Sequence, residues 1–169
     1  MEDVDDVMKY ATDPVWARYL PVTLTYSRVD AEKFVASQVL LNRETHPAWA
    51  ISLDGSMIGG INLRFEFEQR IAQVGYGIAR NQWGKGIVSE AAHAVFDAAF
   101  STHSELHRIR AFADARNKGS RRVMEKLGMV PEGILRQNRI VRGEFVDDAT
   151  YGILRNEWKV GAGRSVPDK

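Results

Sequence analysis

A chain of 169 residues, 44% hydrophobic and 27% charged, has the length and composition of one soluble globular domain with a buried core. Its formal net charge of +1 gives no global electrostatic reason to expect a nucleic-acid partner, and the absence of cysteine excludes a thiol nucleophile, disulfides and thiolate metal ligands. No apolar run approaches membrane-spanning length, and the acidic start Met1-Glu2-Asp3 is unlike a signal peptide, so a cytoplasmic protein without membrane partners is expected.

The first predicted helix covers residues 3–12, with Val4, Val7, Met8 and Ala11 at helical spacing. A second covers 28–43, with Val29, Phe34, Val35, Val39 and Leu40 on a stripe and Ser27 or Asp30 as cap. The run from Trp16 to Leu24 between them reads only as short helix or loop. Three strand-like runs follow: Ala48 to Leu53, Met57 to Phe67 and Ile71 to Ala79, with Asp54-Gly55 as a hairpin signal and Glu68-Gln69-Arg70 as a second turn. A strong helix is expected at 87–100, with Ile87, Ala91, Ala94, Val95, Ala98 and Ala99 as its apolar stripe. Then come a strand from His107 to Ala113, a helix from Asn117 to Leu127 closed by Gly128, and two strands, 130–141 and 144–155, joined through Arg142-Gly143. The order α-α-β-β-β-α-β-α-β-β predicts a mixed α/β (α+β) domain over residues 1–160, its sheet largely antiparallel, with parallel pairing open at the two helical crossovers. Residues 161–169 read as a disordered tail.

The most informative stretch is Trp83-Gly84-Lys85-Gly86-Ile87-Val88-Ser89-Glu90-Ala91, which joins a strand to a helix. Glycines let a backbone turn tightly beside an anion, the helix start offers free N–H groups, and Lys85 adds a cation. Ser89 stands where a dinucleotide fold needs its third glycine, and Ile87-Val88 where a nucleotide P-loop needs Lys-Ser or Lys-Thr. Taken alone, the pattern is equally that of a structural turn. The histidines His46, His93, His103 and His107 show no metal-ligand spacing on one element. Glu66 and Glu68 read as hairpin charges, Arg121-Arg122 as a solvated helix face, and Tyr76 as either groove lining or core.

Together these segments resemble the GNAT superfamily of N-acetyltransferases, and within it the RimJ/RimL-like branch. The likeness rests on Asp13-Pro14 with Ala17-Arg18-Tyr19-Leu20-Pro21, on Val74-Gly75-Tyr76-Gly77-Ile78-Ala79 with the glycine turn, on His107-Arg108-Ile109 with Asn117-Lys118-Gly119-Ser120 and Glu125 to Met129, and on Glu132-Gly133, Asp147, Tyr151 and Glu157-Trp158. It spans roughly residues 3–158. The resemblance implies a sheet with a splayed strand pair, 71–79 and 107–113, and acetyl-CoA as cosubstrate in the cleft, with no metal. Pantetheine would pair with backbone near Ile78 and Ala79, and the pyrophosphate would sit on the N–H groups of Trp83, Gly84, Lys85, Gly86, Ile87 and Val88. A backbone N–H near Ile78 would polarise the thioester carbonyl, and a primary amine would attack directly. Asn117 and Ser120 match the positions that approach the pantetheine arm or sulfur; Ser120 would protonate the leaving thiolate, or only cap the helix and contact the arm. The acceptor would be a protein N-terminus, such as that of a ribosomal protein, or a small amine, and homodimers are common in the family.

Three departures from the family pattern stand out. The usual first strand is expected to be missing, which would expose 48–53 as an edge. Val88 replaces a small residue, and Gln73 stands where the branch has glutamate. Glutamine cannot act as a base. At pH 7.5 an α-amine is roughly a third neutral whereas a lysine amine is about 0.1% neutral, so an enzyme without an obvious base is better matched to an α-amine or another weakly basic amine. Gln73 and the missing strand equally suit an acyl-CoA-binding sensor without turnover; steady CoA release separates the two.

Overall fold

The computed structural model describes residues 2–159, so the tail expected at 161–169 lies outside the described residues. Helices α1 (Glu2–Ala11), α2 (Pro14–Ala17) and α3 (Arg28–Leu40) precede strands β1 (Ala48–Leu53), β2 (Ser56–Glu66) and β3 (Ile71–Ile78). Then follow α4 (Ile87–Thr102), β4 (Arg108–Asp114), α5 (Lys118–Lys126), β5 (Val130–Val141) and β6 (Glu144–Leu154). Local chemistry accounts for the boundaries. Asp13 caps α2 with Pro14 in its first turn, and Ser27 and Asp30 form a reciprocal capping box at α3. Both residues of Asp54-Gly55 and of Arg142-Gly143 have positive φ, as tight hairpin turns between twisted strands demand.

The six strands lie in the order β1-β2-β3-β4-β6-β5. Among the described residues only β3 and β4, linked through α4, pair in parallel. The second crossover gives no parallel pair, because β6 inserts between β4 and β5 and pairs antiparallel with both. Among the described residues strand β1 pairs only with β2 and forms one edge.

One face of the sheet carries Leu63, Ala72, Val74, Ile109 and Tyr151 into a core closed by α4 and α5. The buried stripe of α4 is Val88, Ala92, Val95, Phe96, Ala99 and Phe100, one position later than the alanine spacing suggests; Ala94 and Ala98 are exposed. The two phenylalanines decide the rotation, since burying a phenyl ring is worth about 2–3 kcal/mol and a methyl group far less. The guanidinium of Arg155 closes the far end of α4, donating to the carbonyls of Phe100 (2.8 Å), Leu106 (2.6 Å) and His103.

A smaller cluster on the opposite face joins Val4, Val7, Tyr10 and Ala11 of α1 to Ala31 of α3 and to Ala79. The expected α3 stripe is corrected here: Ala31 and Val35 make the contact, while Val29, Phe34, Val39 and Leu40 are exposed, Leu40 at 83%. Only a narrow face of α3 reaches α1. Beneath this cluster β2 and β3 come unusually close, at Gly59. A Cβ there would lie 2.3 Å from the Gly77 carbonyl oxygen.

Candidate active site

Strands β3 and β4 pair only over Ile71–Gln73 and Arg108–Arg110. Beyond that apex β3 runs on to Ile78 and β4 to Asp114 without bonding, which opens a cleft between them. The ladder with β2 decides which backbone groups face the opening. The Ala79 N–H donates to the Ile58 carbonyl (2.8 Å), so in an antiparallel ladder the alternate residues 73, 75, 77 and 79 turn toward β2. Those of Val74, Tyr76 and Ile78 turn toward the cleft. Ala79 also accepts from Gln82 N–H, so its N–H is committed to β2 and its carbonyl is already engaged once. The Ile78 carbonyl is taken by the Trp83 indole (3.0 Å), which leaves its N–H facing the cleft.

At the open end of β3 the chain turns through Gly84 and Gly86, with φ of +78° and +84°. No protein atom lies within 4 Å of where a Cβ would stand at either glycine. The first backbone N–H engaged near the start of α4 is that of Glu90, bound to the Gly86 carbonyl at 3.0 Å. Among the described residues the N–H groups of 84–89 have no acceptor, so the turn offers a nest of donors at the positive end of a four-turn helix. Lys85 adds an exposed ammonium, resting on Gln82 Oε1 at 2.9 Å. Trp83 differs from its neighbours. Its N–H is bound to Arg80 and its ring to Ile78, so it shapes the turn from behind. Val88 is buried, and a β-branched residue is accommodated at this helix start. Ile87 is half-buried against the same core.

Asn117 caps α5, its Oδ1 accepting the Ser120 N–H at 3.1 Å. The Ser120 hydroxyl lies 2.9 Å from the Tyr76 hydroxyl, and the Ser120 carbonyl is 3.0 Å from the same phenol. Tyr76 therefore both packs on the core and spans the cleft from β3 to α5. Burial pushes its pKa up to about 12, with the Ser120 bond working against it, so the phenol stays protonated at neutral pH. Arg121, expected on a solvated face, turns inward instead and donates to the Tyr151 hydroxyl (3.1 Å) and the Ala115 carbonyl (3.3 Å).

The sheet face opposite α4 and α5 is the open approach to the apex. On it Gln73 stands in register between Arg64 and Arg110, and Arg110 is bound to Glu66 at 2.6 Å. Glu132 reaches across Gly152 to Arg108. The histidines sit elsewhere: His93 stacks on Trp158, His103 on Phe65 and Phe67, and His46 bonds Thr45. Among the described residues no three His, Asp or Glu side chains are grouped to hold a metal ion.

Arg142, at the β5–β6 turn, clasps the segment after α2. Its guanidinium donates to the carbonyls of Ala17 (3.1 Å), Arg18 (2.6 Å) and Leu20 (2.9 Å). The clasp makes an arch from two segments that are distant in sequence. We expect Arg142→Ala to destabilise the fold by only about 1 kcal/mol, since most of these bonds are solvent-exposed. Acceptor KM should rise several-fold, with acetyl-CoA Kd unchanged. Thermal melts and bisubstrate kinetics check both halves.

A splayed strand pair with a donor-rich turn at its mouth defines a class of acyl-group transferases. The sequence profile of the acetyltransferase (GNAT) domain matches residues 1–130, and the chain belongs to that family. It is 31% identical over 157 residues to the uncharacterized N-acetyltransferase YnaD of Bacillus subtilis, covering 93% of this chain and 91% of that one. It is 29% identical over 125 residues to the ribosomal-protein-serine acetyltransferase of Escherichia coli, covering 73% of this chain and 66% of that protein. The solved structure of a GNAT-family acetyltransferase from Bacillus anthracis superposes with a TM-score of 0.78 at 28% identity, covering 92% of this chain and 90% of that one. The protein is thus an acetyl-CoA-dependent N-acetyltransferase.

Proposed function

We propose that this enzyme, of the RimJ/RimL-like branch, transfers acetyl from acetyl-CoA to the α-amine of a protein or peptide. The observation that carries the reading is the cleft itself. Cleft-facing backbone groups of Val74 and Tyr76 and the Ile78 N–H form one wall, unpaired amides 84–89 the mouth, and the Tyr76–Ser120 pair the floor. The turn amides and Lys85 would hold the pyrophosphate, and the Val74–Ile78 edge would take pantetheine as an added strand. A cleft-facing N–H, that of Ile78 or Tyr76, would polarise the thioester carbonyl.

The neutral amine attacks the carbonyl carbon from the open sheet face. The C–N bond forms, the C–S bond breaks, and the amine proton goes to solvent. Ser120 gives its proton to the departing thiolate, the neutral phenol of Tyr76 is placed to replace it, and a proton taken up from solvent restores the phenol. The side chain nearest the apex, Gln73, is no base, which favours an acceptor that is already partly neutral. A relative acting on a ribosomal protein agrees with an α-amine acceptor, and such a target would place the reaction in the cytoplasm.

Ser120→Ala is expected to lower kcat about tenfold with acetyl-CoA Kd within a few-fold, because only the transition state needs the proton. Equal losses in binding and turnover would instead make Ser120 a positioning residue. An absence of amine-dependent CoA release in the unmodified enzyme would favour a sensor.

A further inference from the structure

The open face around the apex carries more arginine than carboxylate to neutralise it. Glu66 is bound to Arg110, Glu132 to Arg108, Asp114 to Arg116, and Asp148 to Arg139. The carboxylates nearest the apex on the neighbouring strands, Glu66 and Glu132, are therefore already paired with guanidiniums. Arg64 is exposed and, among the described residues, has no acidic partner. An arriving ammonium group would find Glu66 and Glu132 already engaged and the unpartnered Arg64 beside them, so a polyamine would be disfavoured there.

We infer that the acceptor carries an anionic group close to its amine, as in a peptide with an acidic N-terminal segment, and that the row Arg64–Gln73–Arg110 receives it. This rests on the α-amine reading above. Arg64 and Arg110 flank Gln73 in register on adjacent strands, so their Cα atoms stand two strand spacings apart, about 10 Å. A carboxylate lying over Gln73 is then within reach of both side chains and of the glutamine amide. Glu66 already holds one edge of Arg110, and the planar fork of that side chain keeps further N–H groups for a second carboxylate. The row also ends where the strands part. A group bound there sits one or two residues of extended chain, about 3–7 Å, from the start of the cleft. That spacing suits the first side chains of a peptide whose α-amine enters the cleft.

The test uses the full chain and four acceptors: peptides alike but for Asp-Glu, Ala-Ala or Lys-Lys at positions two and three, and a simple aliphatic diamine. The acidic peptide is expected to exceed the basic one at least tenfold in kcat/KM, mostly through KM, with the gap narrowing as salt is raised. Arg64→Glu, at an exposed site, should narrow or reverse the preference while acetyl-CoA KM stays unchanged. Equal rates on the three peptides, a basic preference, or an unshifted preference in Arg64→Glu would overturn the inference and leave the α-amine reading standing. Acetylation of the diamine alone would overturn both.

Discussion

Replacing Gly86 with valine should weaken acetyl-CoA binding at least tenfold while the protein still folds. Gly86 has φ of +84° and open space where a Cβ would stand, so the added side chain meets no protein atom. It would meet the ligand instead, since the same space is bordered by the unpaired amides of 84–89. Left-handed backbone adds a strain of about 1–3 kcal/mol for a β-branched residue, relieved by shifting the donors away from a phosphate. Tenfold corresponds to about 1.4 kcal/mol, so either effect alone suffices. Calorimetric titration with acetyl-CoA, beside a thermal melt, measures the two halves. Unchanged affinity in a folded variant would move the pyrophosphate elsewhere.

The largest loss of stability is expected from Gly59→Ala. The added methyl would lie 2.3 Å from the Gly77 carbonyl oxygen and 2.8 Å from the Ile78 Cα. Both are backbone atoms at the Ile78 end of the β2–β3 ladder, so no side chain can swing aside. The strands must separate, at a cost on the order of 3 kcal/mol. For a chain of this length that lowers Tm by about 6–12 °C. Because Gly77 and Ile78 belong to the cleft wall, acetyl-CoA binding should fall with stability. A melt within 2 °C of the parent, given the about 2–4 °C expected per kcal/mol, would mean that the strands yield freely here.

Much of this arrangement was readable from residues alone, for identifiable reasons. Strand β1 is a short apolar run, β2 alternates roughly, and strong turn signals bound both and β3, so their limits fell within a residue or two of 48–53, 57–67 and 71–79. The glycine turn was visible because positive φ leaves a compositional mark. The face of α4 was harder to read. Alanines tolerate either side of a helix, and the phenylalanines that set its rotation were not weighed against them. Apolar residues on α3 also misled, because only Ala31 and Val35 find a partner there.

The contacts that complete the site are long-range. Tyr76 and Ser120 are 44 residues apart, and Arg142 reaches a segment more than 100 residues earlier. No local spacing encodes such pairs. The same holds for Ala79, whose backbone groups are engaged by Ile58 and Gln82 in ways that only the ladder register shows. Gln73 was noticed as a departure, but its setting between two arginines was not visible. That setting bears on Gln73→Glu. A carboxylate there would be held ionised by Arg64 and Arg110 and would make a weak base.

Competitive kinetics on paired peptides tests the central claim most directly, namely transfer to an amine that needs no enzymic base. One peptide has a free α-amine and a blocked lysine; the other reverses the blocks. Both are incubated together with acetyl-CoA and the full-length chain, and the products are resolved by mass spectrometry across pH 6.5–9.5, about the range in which an α-amine titrates. The account predicts acetylation of the α-amine peptide, at a rate that climbs with pH and levels off near that amine's own pKa. A clear preference for the lysine peptide near pH 7.5, where that amine is about 0.1% neutral, would contradict it and require a base on the open face.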